Sequence, residues 1–352
     1  MISKTRLGAA ATMLAAGALA TGCGSAGPGH QPAKTSVSPT KTVRATTQKS
    51  IRLPGTGGHG DVVVADPGAH QVYVAQSPDN NVVVIDTAAN TIRTVIAVPA
   101  ANGIAYNPDY VFVAEAKANQ VAIISKATWR VIATVPAGGK TPDAIYEDSQ
   151  DHMVFVTNDG SNNTEYFSES APFKVLGNIP LQPSKPKTGP DLGTYAPKTN
   201  TIYQSDDNNV VTIDAATRTI KKVISLPLAA GVGAKDMYYD PRRDVLWVGT
   251  SGKEILAINP ATGSVIAKVK TPAGADQLSS DGAGMLFLGQ AKAGVMGVVD
   301  MDTHQYLASI PTEADTHTLD YLPNSGLVYV YRNQSNVVDV VKIQAARSTP
   351  SA

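Results

Sequence analysis

Seven residues recur at one place in a pattern that repeats about every 40 residues along this 352-residue chain: Asp61, Asn102, Asp143, Asp191, Lys235, Asp276 and His317. Each stands just before a short apolar run. If the repeats are arranged about an axis, four carboxylates, an amide, an ammonium and an imidazole meet at one mouth. Carboxylates and carbonyls beside a histidine could hold a hard divalent cation such as calcium, with Lys235 neutralising part of the repulsion. The same side chains also suit a plainer role, in which they cap strand ends, bond nearby amides and line a solvated channel. A second group lies at the ends of the runs that follow: Glu115, Asn158, Asp206 and Arg332, with Tyr331 beside the last. Where other repeats have Ala, Thr, Ser or Gly, the last has Tyr331. An aromatic ring flanked by Arg332 is either a platform for a sugar or anionic group or a packing residue.

The elements that must position these groups can be read from the repeat itself. Apolar runs at 72–76, 111–115, 154–158, 202–206, 246–250, 286–290 and 328–332 are each followed by a turn rich in Asn, Asp, Ser or Gly. A second run follows, often closing on Ile-Asp or Val-Asp, as at 82–86, 210–214 and 295–300. Each unit holds four β-like runs separated by turn signals. In the first these are 62–64, 72–76, 82–86 and 91–98; in the third, the third run (164–167) is irregular. One such unit cannot bury its own apolar face, so the period implies a propeller or a solenoid. The seventh unit stops after its third run, 337–343, and Ser50-Ile51-Arg52-Leu53-Pro54 resembles the fourth runs that end in Val135-Pro136, Leu226-Pro227 and Ile310-Pro311. Pairing 50–54 with the last unit would close a ring and remove exposed edges.

Val154-Phe155-Val156-Thr157-Asn158 resembles the motif of the YVTN-type β-propeller repeats of bacterial and archaeal surface proteins, with Val72-Tyr73-Val74-Ala75-Gln76 and Val328-Tyr329-Val330-Tyr331-Arg332 as looser copies. Ile213-Asp214-Ala215-Ala216-Thr217 and Val299-Asp300-Met301-Asp302-Thr303 fit the same pattern, and the similarity covers roughly residues 50–343. The resemblance implies an all-β, seven-bladed propeller of four-stranded blades, a fold that hosts binding modules, lactonases, lyases and redox enzymes alike.

The start of the chain sets an address. Lys4 and Arg6 precede an Ala/Leu-rich stretch, 7–20, too short to span a bilayer comfortably, as expected of an export signal. It ends in Ala20-Thr21-Gly22-Cys23, which resembles a bacterial lipobox, although that family usually has Leu where Ala20 stands. The resemblance implies lipidation of Cys23, the single cysteine of the chain, after removal of residues 1–22. Residues 23–49, rich in Ser, Thr, Pro, Gly and Lys, read as a disordered tether, and 344–352 as a disordered tail. The expected localisation is therefore the outer face of the cytoplasmic membrane. Seven of the 29 basic residues precede residue 60 and all 29 acidic residues follow it, leaving the remainder with a net charge of −7. That balance opposes nucleic-acid binding, while the basic tether suits an anionic membrane surface or simply stays solvated.

No haem-attachment motif, nucleophile elbow or phosphate-binding glycine loop occurs, and no histidine pair has zinc-site spacing. The long connection 180–190, with four prolines, reads as a lid, a partner-contact loop or a tolerated insertion. Two functions are carried forward. One is a monomeric, membrane-tethered module binding a protein, glycan or small ligand at the channel mouth. The alternative is a hydrolase or lyase resembling propeller lactonases or antibiotic-inactivating lyases, with His317 as base and a divalent metal where the chemistry needs one.

Overall fold

A computed structural model of the chain describes residues 41–181 and 189–347. Cys23, the expected signal, the first part of the tether and residues 182–188 of the long connection lie outside the described residues.

Strands b and c of most repeats carry nearly continuous apolar runs because both their faces are covered. In the first blade Gln71–Gln76 is buried throughout, and Asn81–Asp86 is buried up to its last residue. A sheet packed on both sides by neighbours reads as a continuous hydrophobic run, whereas one facing water alternates. The fourth strand, Thr91–Ala97, does alternate, since it forms the outer rim. The first strand, Val63–Asp66, completes the sheet on the inside. Among the described residues seven such four-stranded antiparallel sheets form, as the repeat predicted. Each innermost strand touches the next, and the last touches the first, so the blades close into a ring.

The cores lie between blades rather than within them. One cluster joins Tyr329, Tyr331, Val338 and Val340 of the seventh blade to Val63, Val72, Val74 and Ile85 of the first. Burying each such aliphatic side chain contributes about 1.5–3 kcal/mol. The recurrent Ile-Asp ending has a local cause: Asp86 Oδ1 accepts from the amides of Ala88 and Ala89 at 2.9 Å, and Asp214 Oδ1 from Thr217 at 2.9 Å, which fixes the turn into strand d.

The ring is closed by the N-terminal strand, as expected, but with different bounds. Lys41–Arg52 pairs with Val337–Arg347 along its whole length, from Lys41 opposite Arg347 to Arg52 opposite Val337. Residues 41–49, read as tether, are therefore strand, and the propeller runs four residues beyond 343 at its other end. The reason is an alternation masked by polar composition: Lys41, Val43 and Ala45 are partly covered, while Thr42, Arg44 and Thr46 face water. Val43 and Ala45 pack against the core that contains Phe287 and Met296 of the sixth blade. The third blade likewise has a regular third strand, Asn163–Ser168, in place of the irregular one expected, with Thr164 paired hydroxyl to hydroxyl with Thr157 at 2.9 Å inside the sheet.

Candidate functional site

A β-bulge aims several of the mouth residues. In the second, third and fifth blades the pairing of strands a and b slips between Ala101 and Ile104, Pro142 and Ile145, and Ala234 and Met237. The slip brackets Asn102, Asp143 and Lys235, and a bulge of this kind re-aims a side chain where the ladder alone would not place it. Gly60, just before Asp61, has no room for a side chain, because a Cβ there would run into the Tyr331 ring and the Ala75 carbonyl.

Six of the seven residues read from the sequence line one cavity of about 110 Å³: Asp61, Asp143, Asp191, Lys235, Asp276 and His317. Asn102 stands behind them, donating from Nδ2 to Asp143 Oδ1 at 3.1 Å and accepting from Ser77 Oγ at 3.0 Å. The Lys235 ammonium lies 2.5 Å from Asp191 Oδ2 and 3.4 Å from Asp276 Oδ1. Burial works against that charge, but Asp191 and Asp276 outweigh it and hold the Lys235 pKa above its ordinary value. Asp61 is pushed well above the usual carboxylate range, first by burial and then by Asp143, Asp191 and Asp276. Asp143 is pushed up to about 7 by burial and by Asp191, against the bond from Asn102.

Two buried atoms in this cavity have no partner, Asp61 Oδ2 and His317 Nε2. His317 is only 4% exposed. Its Nδ1 lies 2.7 Å from the Asp315 carbonyl, which can only accept, so the proton is assigned to Nδ1 and Nε2 is left with a bare lone pair. A proton there turns the Asn333 amide, 3.1 Å away, to present its oxygen.

Sequence reasoning missed two contributors. His59, which the sequence places only in a loop, stacks on His317 with ring centroids 4.3 Å apart and planes 16° from parallel. Its signal was proximity, two residues before Asp61. Asp159, in the turn after strand b of the third blade, has its pKa raised by burial and by Asp191.

The second group does not line the cavity. Glu115, Asn158, Asp206 and Tyr331 are buried between blades. Asn158 Nδ2 donates to the Ala137 carbonyl at 2.7 Å, and Gln290, at the same place in the sixth blade, donates to Ala273 at 2.7 Å. These polar strand ends tie down the connections that lead in from the preceding blade. Glu115 accepts from Gln120, and the Asp206 carbonyl accepts from Asn209 at 3.3 Å. Tyr331 is packed under Gly60, donates to Asn336 at 3.0 Å and accepts from Gln76 at 3.3 Å, so it offers no stacking platform. Arg332 pairs with Asp339 at 2.9 Å and Glu313 at 3.8 Å.

The Nδ1 of His317 meets a backbone carbonyl rather than a carboxylate, so the orienting acid of a catalytic dyad is not in place. Among the described residues no group of three or more His, Cys, Asp or Glu side chains is placed to hold a metal ion. The Lys235 ammonium stands between two of the carboxylates a cation would use.

Below the mouth the channel widens to about 540 Å³. Buried polar side chains lace its neighbouring inner strands together. Asp236 accepts from the amides of Met237 (2.7 Å) and Leu278 (2.8 Å). Gln277 accepts from Val63 (3.2 Å) and Leu319 (3.1 Å) and donates to the Val63 carbonyl (2.8 Å).

The fold and its channel define a seven-bladed β-propeller, a general scaffold for interaction. Solved structures bear this out. A chain of Kuenenia stuttgartiensis hydrazine synthase is similar over 85% of this chain and 98% of its own, with TM-score 0.69 and 14% identity. A chain of a mitotic checkpoint complex is similar over 94% and 99%, with TM-score 0.74 and 13% identity. Likeness at this identity is likeness of fold. No protein-family model matches the chain, and no curated protein matches its sequence.

Proposed function

We propose that this chain is an exported, lipid-anchored propeller of the YVTN repeat type that serves as a binding module in the cell envelope, taking a protein, glycan or small ligand at the channel mouth. The observation that carries the reading is the mouth cavity itself, where Asp61 Oδ2 and His317 Nε2 are buried without partners. A buried acceptor left unpaired costs about 1–3 kcal/mol, and a ligand that donates to it recovers that cost on binding.

The N-terminal strand begins at one face of the ring. Lys41 sits by the turn between strands c and d of the sixth blade, its Nζ 3.0 Å from Asp300 and 3.2 Å from Asp302. That turn belongs to the face opposite the mouth. On this proposal a tether from Cys23 would join the propeller at that face.

Photo-crosslinking in cells tests the module. A photoreactive side chain at Lys117 or Lys292, on exposed turns around the mouth, is expected to give covalent adducts, and one at Ala88, on an exposed turn of the far face, to give none. Adducts from Ala88 alone would place the working surface on the other side and end this reading.

A further inference from the structure

We infer that the group received by the channel mouth is a primary ammonium, carried by a small amine or by an amine-bearing side chain or sugar of a larger partner. The inference rests on the reading of the mouth as the ligand site and adds the chemistry of what enters it.

The cavity is short of donors. Among its lining side chains Lys235 is already committed to Asp191 and Asp276, Gln277 is committed to the backbone of the first and seventh blades, and His59, stacked on His317, keeps its ring exposed to solvent at the edge. Two buried atoms remain without partners, Asp61 Oδ2 and His317 Nε2, and the second, on a side chain that is 96% buried and with its proton on Nδ1, can only accept. An entering group must therefore donate, and an ammonium donates three hydrogen bonds and accepts none. Charge favours the same choice. Asp191 and Asp276 already outnumber the single ammonium of Lys235, and Asp61 and Asp143, held toward their protonated forms by burial and by neighbouring carboxylates, give up that proton more readily beside a second cation. A hydroxyl or a water can satisfy the two atoms but leaves that imbalance, whereas a second ammonium reduces it.

The remaining classes fit less well. A divalent metal needs several converged hard ligands, and no group of three or more such side chains is arranged for one among the described residues. A quaternary ammonium has the charge but no N–H to give to His317 or Asp61. An anion would meet carboxylates. The space, about 110 Å³, suits an ammonium and a few methylenes with the rest of the ligand outside, and the exposed ring of His59, stacked on His317, stands at its edge.

The test uses the folded protein with n-propylammonium chloride, 1-propanol, tetramethylammonium chloride and calcium chloride as probes, followed by the NMR signals of the His317 ring nitrogens and by the unfolding midpoint. Propylammonium is expected to shift the Nε2 signal saturably, propanol and tetramethylammonium to bind at least tenfold more weakly, and calcium to leave the signal unmoved. His317→Phe and Asp61→Asn, each checked for a folded spectrum, are both expected to weaken propylammonium by tenfold or more. Equal binding of propanol, saturation by calcium, or undiminished binding in a folded Asp61→Asn protein would each overturn the assignment. If propanol saturates the His317 signal and propylammonium does not, the ammonium falls and the mouth stands as a ligand site. Silence from every probe together with no crosslinks from Lys117 or Lys292 removes both.

Discussion

Asp143→Asn isolates one charge in the mouth without changing its shape. The amide keeps an oxygen where Asp143 Oδ1 accepts from Asn102 at 3.1 Å, so that bond survives the exchange. The carboxyl, ordinarily near 3.8, is held up to about 7 by burial and by Asp191. A raised carboxyl pKa means that the native state holds a proton the unfolded chain has already released. Its contribution is thus fully present below the unfolded value, is lost as pH climbs through the folded value, and changes no further above it. Displacement from 3.8 to about 7 corresponds to roughly 4 kcal/mol between the two protonation states. Protons shared among neighbouring carboxylates and water at the open mouth reduce this to about 2 kcal/mol. Denaturant unfolding of both proteins at pH 4.5, 6 and 8 reads the difference. The two curves are expected to coincide at pH 4.5 and to separate progressively, the variant being about 2 kcal/mol more stable at pH 8. A variant destabilised equally at all three values would show that Asp143 acts by packing and hydrogen bonding, and the charge argument would fail.

Other perturbations address the frame and the address. Gln277→Leu leaves the buried amides of Val63 and Leu319 without their acceptor, and about 3 kcal/mol of stability should be lost, read from the unfolding midpoint; a loss under about 1 kcal/mol would mean that the lacing of inner strands matters little. Deleting residues 1–40 should leave the unfolding midpoint unchanged, whereas deleting 1–49 strips most of the closing strand and should lower it sharply; equal midpoints would contradict its role in closing the ring. Gly60→Ala drives a methyl into the Tyr331 ring and should cost about 1–3 kcal/mol in a thermal or denaturant melt. Cys23→Ser should move the protein from the membrane fraction to the soluble fraction and abolish acyl labelling; persistence in the membrane would refute the lipid anchor.

The blades were legible because their cause is local and repeated. Strand positions such as 72–76 and 82–86 follow from apolar runs bounded by Asn, Asp and Gly, and the structure differs at their ends by a single residue, Gln71–Gln76 and Asn81–Asp86. Lys41–Lys49 was not legible, because a rim strand needs only one covered face, and Val43 and Ala45 among Thr, Lys and Arg resemble a solvated linker until Val337–Arg347 lies beside them. The mouth was legible as a list of positions, since one alignment of the repeats found six of its lining residues. Its chemistry was not. Lys235 between Asp191 and Asp276, and His59 upon His317, are contacts across blades or across a loop, which no single repeat records. Tyr331 is the converse case: its departure from the small residues of the other blades left a ligand platform and a packing role both open, and the packing role holds through the close approach of Gly60, a partner about 270 positions away in sequence.

This distinction bears on how a symmetric scaffold acquires a specific site. At the ends of strand b the third and sixth blades solve one problem in one way, with Asn158 and Gln290 each bonding a carbonyl of the connection that leads in from the preceding blade. At the start of strand a they diverge into carboxylates, an amide, an ammonium and an imidazole. Ring closure then brings those divergent positions together about a single axis, so a change in one blade is felt electrostatically by residues two blades away, as Asp61 is by Asp143 and Asp276. Substituting one mouth residue should for that reason alter the protonation of the others without unfolding the blade that carries it, whereas substituting a strand-b end such as Asn158 should loosen one connection and leave the charge of the mouth as it was.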